Sequence, residues 1–261
     1  MYKFAGLNLA PGGAATMAEV TAARMTELAG LGFGPSPLGV VHGFIMLPWI
    51  EGTPLTRRDA DAAVLAHVGR YLAQTMGPLL PRSGAAARVA RLEDMLFWNT
   101  REALGQAAAD RARRFYEKVC TNTLIGERRA CRDGRQAPHE WLWTSTGQLV
   151  KAGNTGHEID QTMVGQQSIA WDVAGALVEW GVEMPAARPL LTAFSAAGGD
   201  AIAPGEMTFY RLAYAAFRAG QCKLCTEANA ADVPEHCRLW RAYRRYRSDL
   251  ARTLNTVHDA C

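Results

Sequence analysis

Residues Ile159–Trp180 read IDQTMVGQQSIAWDVAGALVEW, and this stretch decides the fold. Asp160 follows an apolar residue and is followed by a polar loop. From Ser168 onward the sequence becomes apolar and helix-like, and Asp172 falls near the start, where the helix dipole favours a carboxylate. The stretch predicts a loop aspartate and, twelve residues later, a second aspartate in the first turn of a helix.

The front of the chain predicts a small β-containing section. Tyr2–Leu7 reads as a short strand that enters a Gly/Pro-rich turn, and Met17–Ala29 has the apolar spacing of a helix. Leu38–Ile50 reads as two short strands with a turn near His42 and Gly43.

The chain after Leu55 is rich in Ala, Leu and Arg at three- and four-residue intervals, which indicates long helices. A different pattern interrupts them, because Trp141–Trp143 and Gln148–Lys151 flank the polar turn Thr144–Gly147 and predict a β-hairpin. The predicted helices lie at roughly 59–79, 85–119, 168–181, 186–197, 205–229 and 234–258.

Composition indicates an ordinary globular protein of 261 residues with a formal net charge of +3. This charge is mild and the arginines are scattered among acids, so the charge balance alone indicates no nucleic-acid partner, and we expect none. No apolar run approaches the roughly 20 residues that span a bilayer, and the first residues lack a secretory apolar core. We therefore expect a cytoplasmic protein with no membrane partner and, with six sparse cysteines, no structural disulfide.

The opening stretch and three further patterns resemble the aminoglycoside and choline phosphotransferases, which share the protein-kinase-like fold. The resemblance implies an α+β protein with a small, truncated β-containing N-terminal lobe and hinge at residues 1–50. A large, mainly helical C-terminal lobe with an embedded β-hairpin would occupy residues 51–261. It also implies that Asp160 binds the Mg²⁺ that bridges the β- and γ-phosphates of ATP, and that Asp172 accepts hydrogen bonds from the catalytic-loop backbone.

The second pattern is Cys131–Trp143, CRDGRQAPHEWLW, which is similar to the catalytic loop of that family. The resemblance implies that Asp133 accepts the proton of the attacking hydroxyl. Pro138 stands where the family has a metal-binding Asn, so Glu140 is the nearest oxygen ligand for Mg²⁺. The alternative is that the charged residues of this loop form only a surface network of ion pairs.

The remaining two patterns concern nucleotide. Gly43–Leu55, GFIMLPWIEGTPL, is similar to the strand and hinge of the family, so the backbone from Leu47 to Trp49 would bond the adenine edge; the alternative is a buried strand and a turn. Lys3 would contact the phosphates and pair with a helix acid, either Glu19 or Glu27. The family's glycine-rich hairpin does not precede Lys3, which implies an incomplete N-terminus or a lineage that dispenses with nucleotide.

Two features near the C-terminus have a separate interpretation. Cys222, Cys225 and Cys237, together with His236, have the number and type of ligands for a tetrahedral zinc site, although thiols on one helical face are commonly buried as small apolar groups. Arg238–Arg247 interleaves aromatics and arginines and could contact RNA or phosphate groups. The alternative is a closing helix, which is predicted by one helical stripe of Leu239, Tyr243, Tyr246 and Leu250.

Three hypotheses of function follow. The first is an ATP- and Mg²⁺-dependent kinase that transfers the γ-phosphate to a small-molecule hydroxyl. The second is a catalytically inactive kinase-like protein that binds a protein partner or serves as a scaffold. The third is a zinc-stabilised helical protein. The acceptor is not encoded in any motif.

Overall fold

The computed structural model describes residues 1–4, 13–80, 83–119, 124, 128–153, 164 and 167–258. Within these ranges short strands and long helices alternate early and helices dominate late, which confirms the predicted α+β class. The elements are β1 (Tyr2–Phe4), α1 (Gly13–Gly30), β2 (Gly39–Val41), β3 (Phe44–Met46), β4 (Gly52–Pro54), α2 (Ala62–Gln74), α3 (Ala85–Leu104), α4 (Gln106–Val119), β5 (Trp141–Thr144), β6 (Leu149–Lys151), α5 (Ile169–Trp180), α6 (Arg188–Ala196), α7 (Pro204–Ala228) and α8 (Val233–His258).

The chain forms two compact units, and each is built from two stretches of sequence. Unit 1 comprises Met1–Pro78 and Arg129–Ala201, and it contains every strand named above together with α1, α2, α5 and α6. Unit 2 comprises Leu79–Arg128 and Ile202–Cys261, with α3, α4, α7 and α8. The lobe boundary predicted after residue 50 describes a different division and stays a prediction.

The first sheet of unit 1 has the antiparallel order β1-β3-β2. Its central residue Ile45 is fully buried against Ala18 and Met25 of α1. Lys3 lies directly opposite Ile45 in the register, so its side chain leaves the same face of the sheet, towards α1.

The second sheet of unit 1 has the order β4-β5-β6 and contains the predicted hairpin. Gly147, at a φ of 75°, makes the turn between β5 and β6, a conformation that a residue with a Cβ adopts only under strain. Gly52–Pro54, at the end of the segment that resembles the family's hinge, was not predicted as a strand, and it pairs with β5 as strand β4.

Helix ends in unit 1 follow local capping. The Asp61 carboxylate accepts from the Val64 N–H at 2.8 Å and begins α2, and the Ser168 hydroxyl accepts from Ala170 at 3.2 Å and begins α5. Gly181, at a φ of 67°, ends α5. Every residue of α5 is buried, so the carboxylate of Asp172 sits in the protein interior.

Unit 2 differs from expectation at one point. The single helix predicted at 85–119 is two helices, because Gly105 has a φ of 89° and reverses the chain between α3 and α4. In α8 the predicted stripe is confirmed at Leu239, Tyr246 and Leu250, which are buried, whereas its fourth member Tyr243 is only partly buried. Across the described residues, no helix combines the length and the apolar character that a membrane crossing requires.

Candidate active site

The first turn of α5 holds the loop that carries Asp133. The Cys131 N–H donates to the Gln167 carbonyl at 2.8 Å, which places the loop beside the start of the helix. Asp172 then accepts hydrogen bonds from the backbone N–H groups of Gly134 at 2.9 Å and Asp133 at 3.3 Å. These bonds confirm the role predicted for Asp172, which fixes the backbone at the residue expected to act as base.

Three donors converge on one oxygen of the Asp133 carboxylate. Oδ2 accepts from the Tyr71 hydroxyl at 2.7 Å and from the Gln136 amide at 3.0 Å, and it lies 2.8 Å from Lys151 Nζ. Oδ1 is also buried, yet it has no hydrogen-bond partner among the described residues. The carboxylate is therefore held firmly by one oxygen, while the other keeps its acceptor capacity.

Lys151 is fully buried and contacts three acceptors. Its Nζ lies 2.8 Å from Asp133 Oδ2 and 2.9 Å from Glu140 Oε2, and it also donates to the Gly153 carbonyl. An ammonium has three N–H groups, so these acceptors use all of them. Burial alone would lower the pKa of Lys151, but the charges of Asp133 and Glu140 raise it above its ordinary value. Lys151 is thus a cation at neutral pH.

Aromatic residues surround this cluster. The Tyr71 ring centroid lies 5.1 Å from that of Trp141 and 5.5 Å from that of Phe33, both in edge-on geometry. Burial and the Asp133 charge raise the pKa of the Tyr71 hydroxyl well above its ordinary value, so Tyr71 remains a donor. His67 also packs edge-on against Trp141, and burial with the nearby Arg70 charge lowers the pKa of His67 to about 4.

The site suits a cation, and the protein supplies that cation itself. Glu140, the predicted Mg²⁺ ligand, already binds the Lys151 ammonium. Because Lys151 Nζ already contacts both carboxylates, a divalent ion held between them would either displace the ammonium or be repelled by its like charge. Asp133 and Glu140 therefore do not fit Mg²⁺ while Lys151 lies between them. The second predicted metal ligand, Asp160, lies outside the described residues.

The predicted phosphate contacts lie on β1 and α1. Lys3 is partly buried on the face of the sheet that packs against α1. Glu27 is exposed and forms an ion pair with Arg24 of its own helix, and Glu19 is exposed. The structure thus places Lys3 and the two acids on the elements that the phosphate role requires, and that role stays a prediction.

The predicted hinge follows β3. Leu47 is buried, and both its backbone groups bond to Met1: its N–H donates to the Met1 carbonyl at 2.9 Å, and its carbonyl accepts from the Met1 amine at 2.8 Å. Trp49 is 76% exposed. Within the segment predicted to bond adenine, the backbone of Leu47 is therefore already occupied, which leaves Trp49 as the better candidate.

The zinc hypothesis was wrong for the described residues, which include every proposed ligand. The structure holds no group of three His, Cys, Asp or Glu side chains there that could bind a metal ion. Cys222 is buried on α7, Cys237 is exposed on α8, and the His236 ring nitrogen lies 3.1 Å from the Thr226 carbonyl oxygen. Helix geometry explains the result, because thiols on α7 serve packing and the two later ligands are adjacent on another helix.

Sequence analysis missed three residues of the cluster around Asp133. Tyr71 lies among the apolar core positions of α2, and Gln136 resembles an ordinary loop amide. Lys151 had a detectable signal, since this lysine follows the apolar Leu149 and Val150 in a strand of the predicted hairpin, and all three residues are buried. A charge at such a position needs a partner, and the partner here is Asp133.

Comparison with known proteins rests on structure alone, since no family model and no curated protein matches this sequence. Choline kinase LicA from Streptococcus pneumoniae, also solved in complex with AMP, superposes with a TM-score of 0.56 at 12% identity. That match covers 96% of this chain and 85% of LicA. This chain has the kinase-like fold of the choline and aminoglycoside phosphotransferases.

Two further structures agree with this fold. A choline/ethanolamine kinase family protein from Mesorhizobium loti has a TM-score of 0.52 at 13% identity, with 88% of this chain and 82% of that chain covered. Macrolide 2'-phosphotransferase type I has a TM-score of 0.51 at 16% identity, with 86% and 79% covered. At identities this low, structural similarity shows the fold alone. It confirms the phosphotransferase-like kinase fold that was predicted from the sequence.

Proposed function

We propose that this protein transfers the γ-phosphate of ATP to a hydroxyl of a small molecule in the cytoplasm, with Asp133 as the base. The observation that carries the proposal is the state of the Asp133 carboxylate. Three donors hold Oδ2 and Asp172 fixes the backbone, while Oδ1 has no partner among the described residues. A carboxylate held in this way is positioned to take a proton at one defined oxygen.

The proposed reaction is a single displacement. The acceptor oxygen forms a bond to the γ-phosphorus, the bond to the β,γ-bridging oxygen breaks, and ADP leaves. The proton of the acceptor hydroxyl moves to Asp133 Oδ1. Lys3 would face the phosphates and the backbone at Trp49 would face the adenine. The similar choline kinase LicA was solved in complex with AMP, which supports nucleotide binding by a protein of this fold.

A second candidate is a kinase-like protein without phosphotransfer that binds a protein partner. Two observations favour it. Asp133 is completely buried and its charge is matched by Lys151, and the backbone groups of Leu47 are already bonded to Met1. A buried, neutralised base and a partly occupied hinge are compatible with a site that no longer turns over.

ATP consumption separates the two candidates. The wild-type protein would be assayed for ADP release with Mg²⁺ and with choline, ethanolamine or a macrolide as acceptor. These compounds are chosen because the structurally similar proteins are named for them. We expect Asp133→Asn to lower turnover at least about 100-fold. The matched control Asp94→Asn removes an exposed carboxylate of α3 and should leave turnover unchanged.

Binding gives an independent result. The melting temperature of the wild-type protein would be measured with ATP, with and without Mg²⁺. Stabilisation by ATP together with acceptor-dependent turnover supports the first candidate. If ATP neither stabilises the folded protein nor is consumed with any acceptor, the first candidate is rejected in favour of the second.

A further inference from the structure

The carboxylates of Asp133 and Glu140 are 2.8 Å and 2.9 Å from one shared cation, Lys151 Nζ. We infer that Lys151 permanently occupies the cation position of this site, so that Asp133 and Glu140 bind no divalent metal ion. The inference concerns the cation requirement alone and holds for either candidate function.

The environment of the ammonium has the composition of a complete cation site. Two carboxylate oxygens and the Gly153 carbonyl accept from it, and the Tyr71 ring centroid lies 5.7 Å from Nζ, within reach of a cation–π interaction. All of these groups are hard oxygens or a π-face, which are groups that coordinate cations in proteins. Because Lys151 is fully buried, its ammonium has no exposed surface at which water could replace these contacts.

The β5–β6 hairpin fixes this arrangement through the backbone. Lys151 pairs with Trp141 in the register, and Glu140 immediately precedes Trp141. The Ala152 N–H donates to the Glu140 carbonyl at 2.8 Å, and the Lys151 N–H donates to the Phe33 carbonyl at 2.8 Å. Lys151 is the last residue of β6 and Glu140 immediately precedes β5, so backbone hydrogen bonds of the hairpin hold the two residues side by side.

Charge accounts for the exclusion of a metal ion. Asp133, Glu140 and Lys151 together carry one net negative charge, and one oxygen of each carboxylate already contacts the ammonium. A divalent ion would have to displace an ammonium that is tethered to the chain and donates three hydrogen bonds. The structure thus assigns to a side chain the position that a metal ion would fill.

The test replaces the cation and asks whether a metal ion takes its place. Lys151→Met keeps the length of the side chain and removes the charge. We expect its melting temperature to fall by roughly 10 °C in EDTA, because the buried Asp133 and the partly buried Glu140 lose their counter-ion. Millimolar Mn²⁺ should then restore several degrees, and the double variant Lys151→Met/Glu140→Gln should lose most of that response.

The matched control is Lys223→Met, which removes a surface lysine that lies 3.1 Å from Glu102. In the control and in the wild-type protein, any effect of Mn²⁺ on the melting temperature should be the same with and without the additional substitution Glu140→Gln. If Lys151→Met is as stable as wild type in EDTA, or gains no stability from Mn²⁺, the inference is overturned.

A second measurement does not require the Lys151 variant to fold. Bound Mn²⁺ would be counted by electron paramagnetic resonance on the wild-type protein and on Glu140→Gln. Equal counts support the inference, and one ion fewer on Glu140→Gln overturns it. No nucleotide or turnover enters either measurement, so failure here and failure of the proposed phosphotransfer are distinguishable.

Discussion

Removing the Tyr71 hydroxyl tests how the Asp133 carboxylate is held. Tyr71→Phe deletes the O–H that donates to Asp133 Oδ2 at 2.7 Å and keeps the ring, which packs against Trp141 and Phe33. The variant therefore changes one hydrogen bond and leaves the aromatic cluster intact.

The magnitude follows from the environment of the bond. A hydrogen bond to a charged, buried acceptor contributes about 1.5–3 kcal/mol. Oδ2 retains Gln136 and Lys151 as donors after the substitution, so we expect a loss of about 1.5–2 kcal/mol, at the lower end of that range. For a protein of this size that corresponds to a fall in melting temperature of roughly 3–8 °C.

The assay is urea unfolding followed by tryptophan fluorescence, with Tyr243→Phe, a partly exposed tyrosine of α8, as the matched control. The raised pKa of Tyr71 implies that its stabilising hydrogen bond is present at all pH values below its ordinary pKa of 10.0 and is lost only above that. The difference between wild type and Tyr71→Phe should thus be constant across neutral pH. If the free energies of unfolding of wild type and Tyr71→Phe differ by less than about 0.5 kcal/mol, the ordinary range of surface substitutions, the Tyr71 hydrogen bond does not stabilise the protein and the reasoning is refuted.

Three further predictions concern stability. His67 has a lowered pKa of about 4 against an ordinary 6.5, so it contributes stability above pH 6.5 that is lost as the pH falls towards 4; His67→Phe should flatten this part of the pH profile of the unfolding midpoint. Arg128→Ala leaves the fully buried Glu206 without its two contacts at 2.8 and 2.9 Å, and calorimetry should show a loss of about 3–5 kcal/mol, whereas a loss below 1 kcal/mol would contradict a buried pair. Gly69→Ala would place a Cβ against a backbone carbonyl of α6 and should lower the melting temperature measured in a thermal scan. The control Gly30→Ala has open space around its Cβ, and it should leave the melting temperature unchanged or raise it.

Local sequence patterns predicted the parts of the site that are set by short stretches of chain. Asp133 and Asp172 were found through the resemblance to the phosphotransferase family, whose motifs are short stretches of chain, and the hydrogen bonds from the Asp133 loop confirm the structural role of Asp172. The β5–β6 hairpin was found from local composition, because a polar turn separates two apolar stretches. Asp160 remains a prediction, since it lies outside the described residues.

The site residues that the sequence did not predict depend on contacts between distant segments of the chain. Tyr71, Gln136 and Lys151 meet at one carboxylate oxygen although they come from a helix, a loop and a strand, and no local rule encodes that meeting. The error at Gly105 has a local cause, because an isolated glycine inside a helical pattern is often tolerated, whereas here its positive φ turns the chain.

The discontinuity of unit 1 has a consequence for synthesis. The helix carrying Tyr71 leaves the ribosome before α3 and α4, and its partners on the Asp133 loop, on β6 and on α5 follow only after those two helices. At about 5–20 residues per second, the apolar face of α2 waits several seconds for the segments that cover it. We expect the nascent protein to depend on a chaperone during this interval. A circular permutant that begins near Arg129 would transfer the wait to α5 and α6, because residues 202–261 would then separate the two parts of unit 1.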